Sequence, residues 1–195
     1  IYSKDQKKKI NEKTIFEPNS AYGISKLASH YLIKSYRDNY NMHSSSGILF
    51  NHESPRKDKS FVLRKISSSV AKIKLGLQKK IKLGDIKAKR DWGHAKDFAY
   101  AMWLICQQKK GDDYVIGTGK LHSVEDFAKL AFRCVDLNYK DFIEIDKSLI
   151  REDNRARLAN ISKIKKKLNW KPKIDFKGLA KDMVEYDLKA LRKYE

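Results

Sequence analysis

An α/β sheet fold is predicted by two features of the sequence. Short apolar runs of strand length alternate with longer segments whose apolar residues recur at helical spacing, and cap signals mark where the helices begin. Alternation of this kind favours helices packed on a sheet over an all-α or all-β arrangement.

Residues 1–19 read as a polar loop. Pro18-Asn19-Ser20 is a turn in which Asn19 or Ser20 can cap the next helix, which runs from Ala21 to about Tyr40 with Leu27, Tyr31, Ile33, Tyr36 and Tyr40 at helical spacing. Ser46–Phe50 reads as a buried strand and Asn51–Ser60 as a loop. A second helix is expected over Phe61–Leu77, with Val62, Ile66, Val70, Ile73 and Leu77 on one face and Gly76 near its C-terminus. Ile81–Gly84 is a brief strand. Ala95–Gln107 is apolar enough to predict a well-buried helix. Tyr114–Ile116 is a strand. Ser123 then caps a helix to about Val135, with Asp126 completing a short version of the capping box. Asn160–Leu168 is a short helix closed by Trp170-Lys171-Pro172, and the last helix runs from Phe176 to about Arg192. Trp92, Trp103 and Trp170 read as packing residues. Three strands are few for a doubly wound sheet, so part of the fold is expected to lie outside these residues.

Lys and Arg number 43 against 24 Asp and Glu, a net charge of +19, while a hydrophobic fraction of 41% is enough for a packed core. The excess is uneven. Residues 56–96 hold 14 basic and three acidic side chains. That balance points to an anionic partner, either a polymer or a small phosphorylated ligand. Aromatic interleaving of the kind that stacks nucleobases is lacking: Trp92 is the only aromatic between Phe61 and Phe98. The longest apolar run, Phe98–Cys106, is nine residues, against the roughly 20 that a membrane-spanning helix needs. The N-terminus has no apolar signal core, so a cytoplasmic setting is expected. Cys106 and Cys134 lie in apolar helical patterns and read as small core residues of a reducing compartment. No Cys or His pair has zinc spacing, and no metal is expected.

One motif carries chemistry. Tyr22-Gly-Ile-Ser-Lys26 puts a phenol and an ammonium four residues apart on one helix face. A free Tyr, with a pKa near 10, is a poor base at neutral pH. A neighbouring cation favours the phenolate, so the pair can take a proton from an alcohol as hydride leaves the same carbon. On spacing alone the motif is weak, and a chance pairing on an amphipathic helix is the favoured reading in a chain this rich in Tyr and Lys.

The surroundings of that motif are more specific. Asn19-Ser-Ala-Tyr22-Gly-Ile-Ser-Lys26 resembles the catalytic helix of extended short-chain dehydrogenase/reductase enzymes. Gly47-Ile-Leu-Phe-Asn51-His52-Glu53-Ser54-Pro55-Arg56 and Lys89-Arg90-Asp91-Trp92-Gly93-His94-Ala95-Lys96-Asp97 resemble one branch of that superfamily, the GDP-mannose 4,6-dehydratases. The likeness continues through Leu83-Gly-Asp85, Ala101-Met-Trp103, Asp113-Tyr-Val-Ile116, Thr118-Gly119, His122-Ser-Val124 and Leu168-Asn-Trp170-Lys-Pro172. The resemblance implies the C-terminal part of an NAD(P)-binding Rossmann-type fold plus its smaller α/β substrate-binding domain. Residues 1–60 would end the dinucleotide-binding domain and 61–195 would form mainly the nucleotide-sugar domain, with about 95–120 returning to the Rossmann sheet.

The implied reaction converts GDP-mannose to GDP-4-keto-6-deoxymannose, with NADP taking hydride from sugar C4 and returning it to C6. Carried over by position, Tyr22 is the C4 base, and Lys26 is its electrostatic partner and a cofactor ribose ligand. Tyr22, Lys26, His52, Arg56 and Lys57 fall at cofactor-contacting positions. Lys57 stands where the family commonly has Arg, keeping the charge but not the bidentate fork. Asn51, Lys65, Arg90 and Arg151 are the candidates for the nucleotide-sugar. Asn51 as a strand-end cap, His52 as a packed core histidine and Arg90–Asp91 as a local ion pair are the alternatives. His94 has no implied role beyond structure. Arg151-Glu-Asp-Asn154 departs from the family's Arg-Pro-x-Glu, so Arg151 alone is carried over from it.

The resemblance also implies missing parts. No G-x-x-G-x-x-G occurs among the nine glycines, and the family's Thr-Ser-Glu would lie just before Ile1-Tyr2. The chain therefore reads as a C-terminal fragment, inactive alone, of an enzyme that forms homodimers or homotetramers with the Arg56–Lys57 loop near a neighbouring subunit. Two other readings stay open: another nucleotide-sugar dehydratase, epimerase or reductase of the superfamily, and a non-enzymatic basic module that binds nucleic acid.

Overall fold

One stretch of chain, residues 46–53, takes part in two ladders. In the computed structural model, which describes residues 2, 9–150 and 156–192, strand β1 (Ser46–Leu49) pairs in parallel with β6 (Asp113–Ile116), Gly47 opposite Tyr114. The Phe50 amide donates to the Ile116 carbonyl at 2.9 Å. The chain then transfers to β5 (Trp92–His94), which pairs in parallel with β2 (Asn51–Glu53), His52 opposite Gly93. The predicted loop 51–60 thus begins as a strand. Three residues are too few to show a period of two, and only the continuation of the β1 backbone onto a second partner makes them a strand.

Two smaller ladders are also present. β3 (Ile81–Leu83) runs parallel to β8 (Ile143–Ile145), and β4 (Lys89–Arg90) runs antiparallel to β7 (His122–Ser123). Parallel neighbours need crossovers, and helices supply them. α1 (Ala21–Tyr40) precedes β1, and α2 (Val62–Lys74) connects β2 to β3. α3 (Ala95–Cys106) leads from β5 to β6, and α4 (Val124–Arg133) follows β7. α5 (Ser162–Leu168) and α6 (Phe176–Arg192) end the described chain.

The helix ends follow their caps. Ser20 is the N-cap of α1, its hydroxyl accepting from the Gly23 amide. Ser123 and Asp126 form a reciprocal capping box on α4, at 3.0 and 2.9 Å. Gly76, just past α2, has φ +72° and stops it in the left-handed region.

The largest core lies between α2, α4 and α6, where Leu63, Ile66, Val70, Phe127, Phe132, Leu179 and Met183 are buried together with Trp92. A second core joins α3, α5 and β6 around Phe98, Ile164 and Trp170, whose indole N–H donates to the Asp97 carbonyl. α6 is locked to earlier elements by polar contacts as well. Buried Asp187 accepts from the Arg64 guanidinium and the Ser67 hydroxyl, and Asp182 pairs with His94.

Three burial expectations fail, for one reason. α3 buries only the stripe of Asp97, Phe98, Ala101 and Ile105. Its other side carries Tyr100, Met102, Trp103 and Cys106 to the surface, with Trp103 55% exposed. Cys134 follows the last turn of α4 and is exposed too, its thiol donating to the Leu130 carbonyl. A helix that is apolar all round reads as buried only if partners exist on every side, and among the described residues α3 has partners on one side. On α1, Ile24, Tyr31, Leu32, Tyr36 and Tyr40 are likewise exposed.

Candidate active site

Tyr22 and Lys26 lie in the first two turns of α1, whose start is fixed by the Ser20 cap and by Gly23, against which Pro18 packs so closely that a Cβ would sit 3.0 Å from the proline ring. The Lys26 ammonium is 5.6 Å from the centre of the Tyr22 ring. Tyr22 is 73% exposed, and its hydroxyl bonds to no described residue. The pair therefore has the geometry its spacing implies, open to a ligand, with a cation beside the phenol.

A second group forms on β2 and the turn after it. The His52 Nδ1–H donates to the Phe50 carbonyl at 3.0 Å, which leaves Nε2 as an acceptor, and the ring packs on Phe98 at 5.1 Å. The Lys57 ammonium donates to the His52 carbonyl at 3.4 Å and lies 4.2 Å over the Phe61 ring. Arg56 is exposed, its amide bonded to the Ser54 hydroxyl. Asn51 is an exposed member of the β2–β5 ladder. Because β2 continues β1, and α1 packs on β1, the Tyr22–Lys26 pair and the His52–Lys57 turn belong to one unit.

The proposed nucleotide-sugar residues lie on different elements, with Asn51 opposite Trp92, two residues along the chain from Arg90 of the β4–β7 ladder. Lys65 on α2 donates to the Lys82 carbonyl at 2.7 Å and so ties α2 to β3. Arg90 lies in β4 opposite His122, one guanidinium nitrogen donating to the Lys89 carbonyl. Arg151 lies outside the described residues.

Asp91 is a structural hub. It is fully buried and accepts from the amides of Thr118, Gly119 and Ala159 and from the Thr118 hydroxyl at 2.5 Å. It thereby fixes the backbone that carries Arg90. His94 is tied into the fold by both ring nitrogens: Nδ1 accepts the Lys96 amide at the start of α3, so the ring proton is on Nε2, which donates to Asp182 at 3.0 Å. Among the described residues no group of His, Cys, Asp and Glu could hold a metal ion.

Sequence reasoning passed over Glu53. Its side chain is buried beside β5, 4% exposed, with Lys57 the nearest cation at 3.9 Å and Oε2 bonded to no partner. Burial pushes its carboxyl from 4.5 up to about 7, with Lys57 pulling the other way. The signal was present as a Glu four residues before a Lys, but that spacing implies contact only on a helix, and here the chain turns back at Pro55 instead.

Glu53 makes stability depend on pH. The folded chain holds this proton where the unfolded chain has lost it, so the contribution is complete below pH 4.5 and is lost as pH rises through about 7. Glu53→Gln cannot ionise. Relative to wild type it is expected to gain on the order of 2 kcal/mol between pH 5 and pH 8, read from urea midpoints at both values. Parallel pH dependence of the two proteins contradicts this.

Comparison with known proteins fits these motifs. A family model described as GDP-mannose 4,6 dehydratase matches residues 1–183. GDP-mannose 4,6 dehydratase 1 of Arabidopsis thaliana is 47% identical over 184 residues, covering 94% of this chain and 51% of the plant protein. The Homo sapiens GDP-mannose 4,6 dehydratase is 40% identical, covering 98% and 56%. The chain spans about half the length of the curated relatives it matches. Two solved structures share the fold at 22% identity. RMD from Pseudomonas aeruginosa, complexed with NADPH, has a TM-score of 0.86 over 93% of this chain and 60% of its own. dTDP-glucose 4,6-dehydratase from Bacillus anthracis, in complex with NAD, has a TM-score of 0.82 over 96% and 58%. The α/β fold is thus shared with these two structures, and by the family match and the identities over nearly its whole length the chain belongs to the GDP-mannose 4,6-dehydratase family.

Proposed function

We propose that these residues serve a GDP-mannose 4,6-dehydratase reaction, with Tyr22 as the base at the sugar C4 hydroxyl. The observation that carries this reading is the Tyr22–Lys26 pair, 5.6 Å apart, on the open face of a capped helix. Lys26 stabilises the phenolate electrostatically and offers its remaining donors to ribose hydroxyls. His52 Nε2, Arg56 and Lys57 offer an acceptor and two cations to one edge of the same unit, which fits the ribose and phosphate portions of NADP. When bound, that cofactor would accept hydride from C4 and return it to C6.

Asn51, Lys65, Arg90 and Arg151 are proposed to bind the GDP-mannose, Arg by its planar donor set suited to phosphates. The elimination of water from C5 and C6 needs a carboxylate base, and the residue-by-residue match assigns none within these 195 residues. We further propose that residues 1–60 and about 95–120 belong to the dinucleotide-binding part and the rest mainly to the sugar-nucleotide part. The assembly is proposed to be a homodimer or homotetramer in the cytoplasm. No helix among the described residues is long and apolar enough to cross a membrane.

The test is to supply GDP-mannose and NADP to the protein carrying these residues and to look for a 4-keto-6-deoxy product by NMR. Formation of that product with no net NADPH is the expected result. A 4-epimer, or net NADPH accumulation, identifies a different reaction of the superfamily and overturns the proposal.

A further inference from the structure

Away from Tyr22, Lys26 and the His52–Lys57 turn, a cleft of about 530 Å³ opens between the outer face of α4 and the segment leading into α6. Its volume is that of a small-molecule site. Five cations line it: Lys120, Lys129, Arg133, Lys173 and Lys177. Two acids, Asp126 and Asp175, also line it, and both are committed to helix caps. Asp126 accepts the Ser123 amide, and Asp175 accepts the Gly178 amide at 2.7 Å. Lys129 is shared with Glu125 at 3.6 Å, but Glu125 is also held by Lys87 and by the Tyr139 hydroxyl.

The lining also includes a stack of rings. His122 lies on Phe176 at 3.9 Å and 7°, and Phe176 lies on Trp92 at 6.2 Å and 17°. Cations around a flat wall form a recess suited to an anion.

We propose that this cleft is a second anion site, distinct from the proposed catalytic residues, for a small ligand bearing a di- or polyphosphate group. The arrangement has a route to the chemistry. His122 lies across the β4–β7 ladder from Arg90, and Trp92 is separated from Arg90 only by the Asp91 hub. Occupancy would therefore bear on the strand that carries a proposed substrate ligand. A free polyphosphate and a nucleotide share this chemistry, and the rings would favour the nucleotide.

The experiment titrates the chain with inorganic pyrophosphate, following Trp92 and His122 by NMR, and repeats it with ADP. Saturable shifts at millimolar or lower concentration are expected, with the His122 imidazole titrating at higher pH once the anion is bound. Tighter ADP binding identifies a nucleotide as the ligand, and equal binding identifies the phosphate group alone. Lys129→Gln and Arg133→Gln change side chains on the outer face of α4 and should each weaken binding about tenfold. Arg90→Gln should leave pyrophosphate affinity unchanged. Absence of saturation overturns the proposal. So does binding that is lost in Arg90→Gln and kept in Lys129→Gln and Arg133→Gln, because the anion would then occupy the substrate residues.

Discussion

Tyr22→Phe is expected to lower kcat by about 10²–10⁴-fold, the range for losing a positioned general acid–base group, with KM changed far less. The substitution deletes one oxygen from a side chain that is mostly exposed and bonded to no described residue, so the fold has no reason to respond. Lys26→Met should lower kcat as well, because the phenol loses the cation beside it. Product formation in the protein carrying these residues, beside a thermal melt of each variant, separates catalysis from folding. Near-wild-type turnover by Tyr22→Phe would falsify the assignment of the base.

Asp91→Ala should have the largest effect on stability, a loss of about 3–5 kcal/mol. Four donors converge on this carboxylate: three backbone amides and the Thr118 hydroxyl, the Ala159 bond being 3.2 Å and buried. Truncation takes the acceptor from all four, and the buried Ala159 amide is orphaned outright, at about 1–3 kcal/mol for such a group. Asp91→Asn keeps one carbonyl oxygen and should fall between wild type and Ala. Chemical denaturation measures both. A loss in Asp91→Ala of less than about 1 kcal/mol, the size of an ordinary substitution, contradicts the hub.

The same two residues show what could be read in advance. Tyr22 and Lys26 announce their relation because a helix has one period, and a helix of 20 residues displays it fully. α6 and the Ser123–Asp126 box were legible for the same reason: local chemistry decides them. Asp91 was not legible. Its partners lie 27, 28 and 68 residues away, and nothing local distinguishes a hub from a surface ion pair with Arg90. β2 and β5 failed similarly, being too short to show a pattern and defined only by each other. Trp103, Cys106 and the tyrosines of α1 failed in the opposite direction. Apolar character tells that a side chain gains by burial, while the neighbour that would bury it is a matter of tertiary arrangement.

The bonds that α6 makes with much earlier residues also set an order of events. Asp187 reaches Arg64 across 123 positions and Asp182 reaches His94 across 88. A ribosome adds about 5–20 residues per second, so α2, β5 and α4 emerge several seconds before the helix that neutralises Arg64 and covers Phe127. During that interval the nascent chain presents a basic residue and an apolar surface that the finished molecule hides. This is the stage at which a chaperone would engage it.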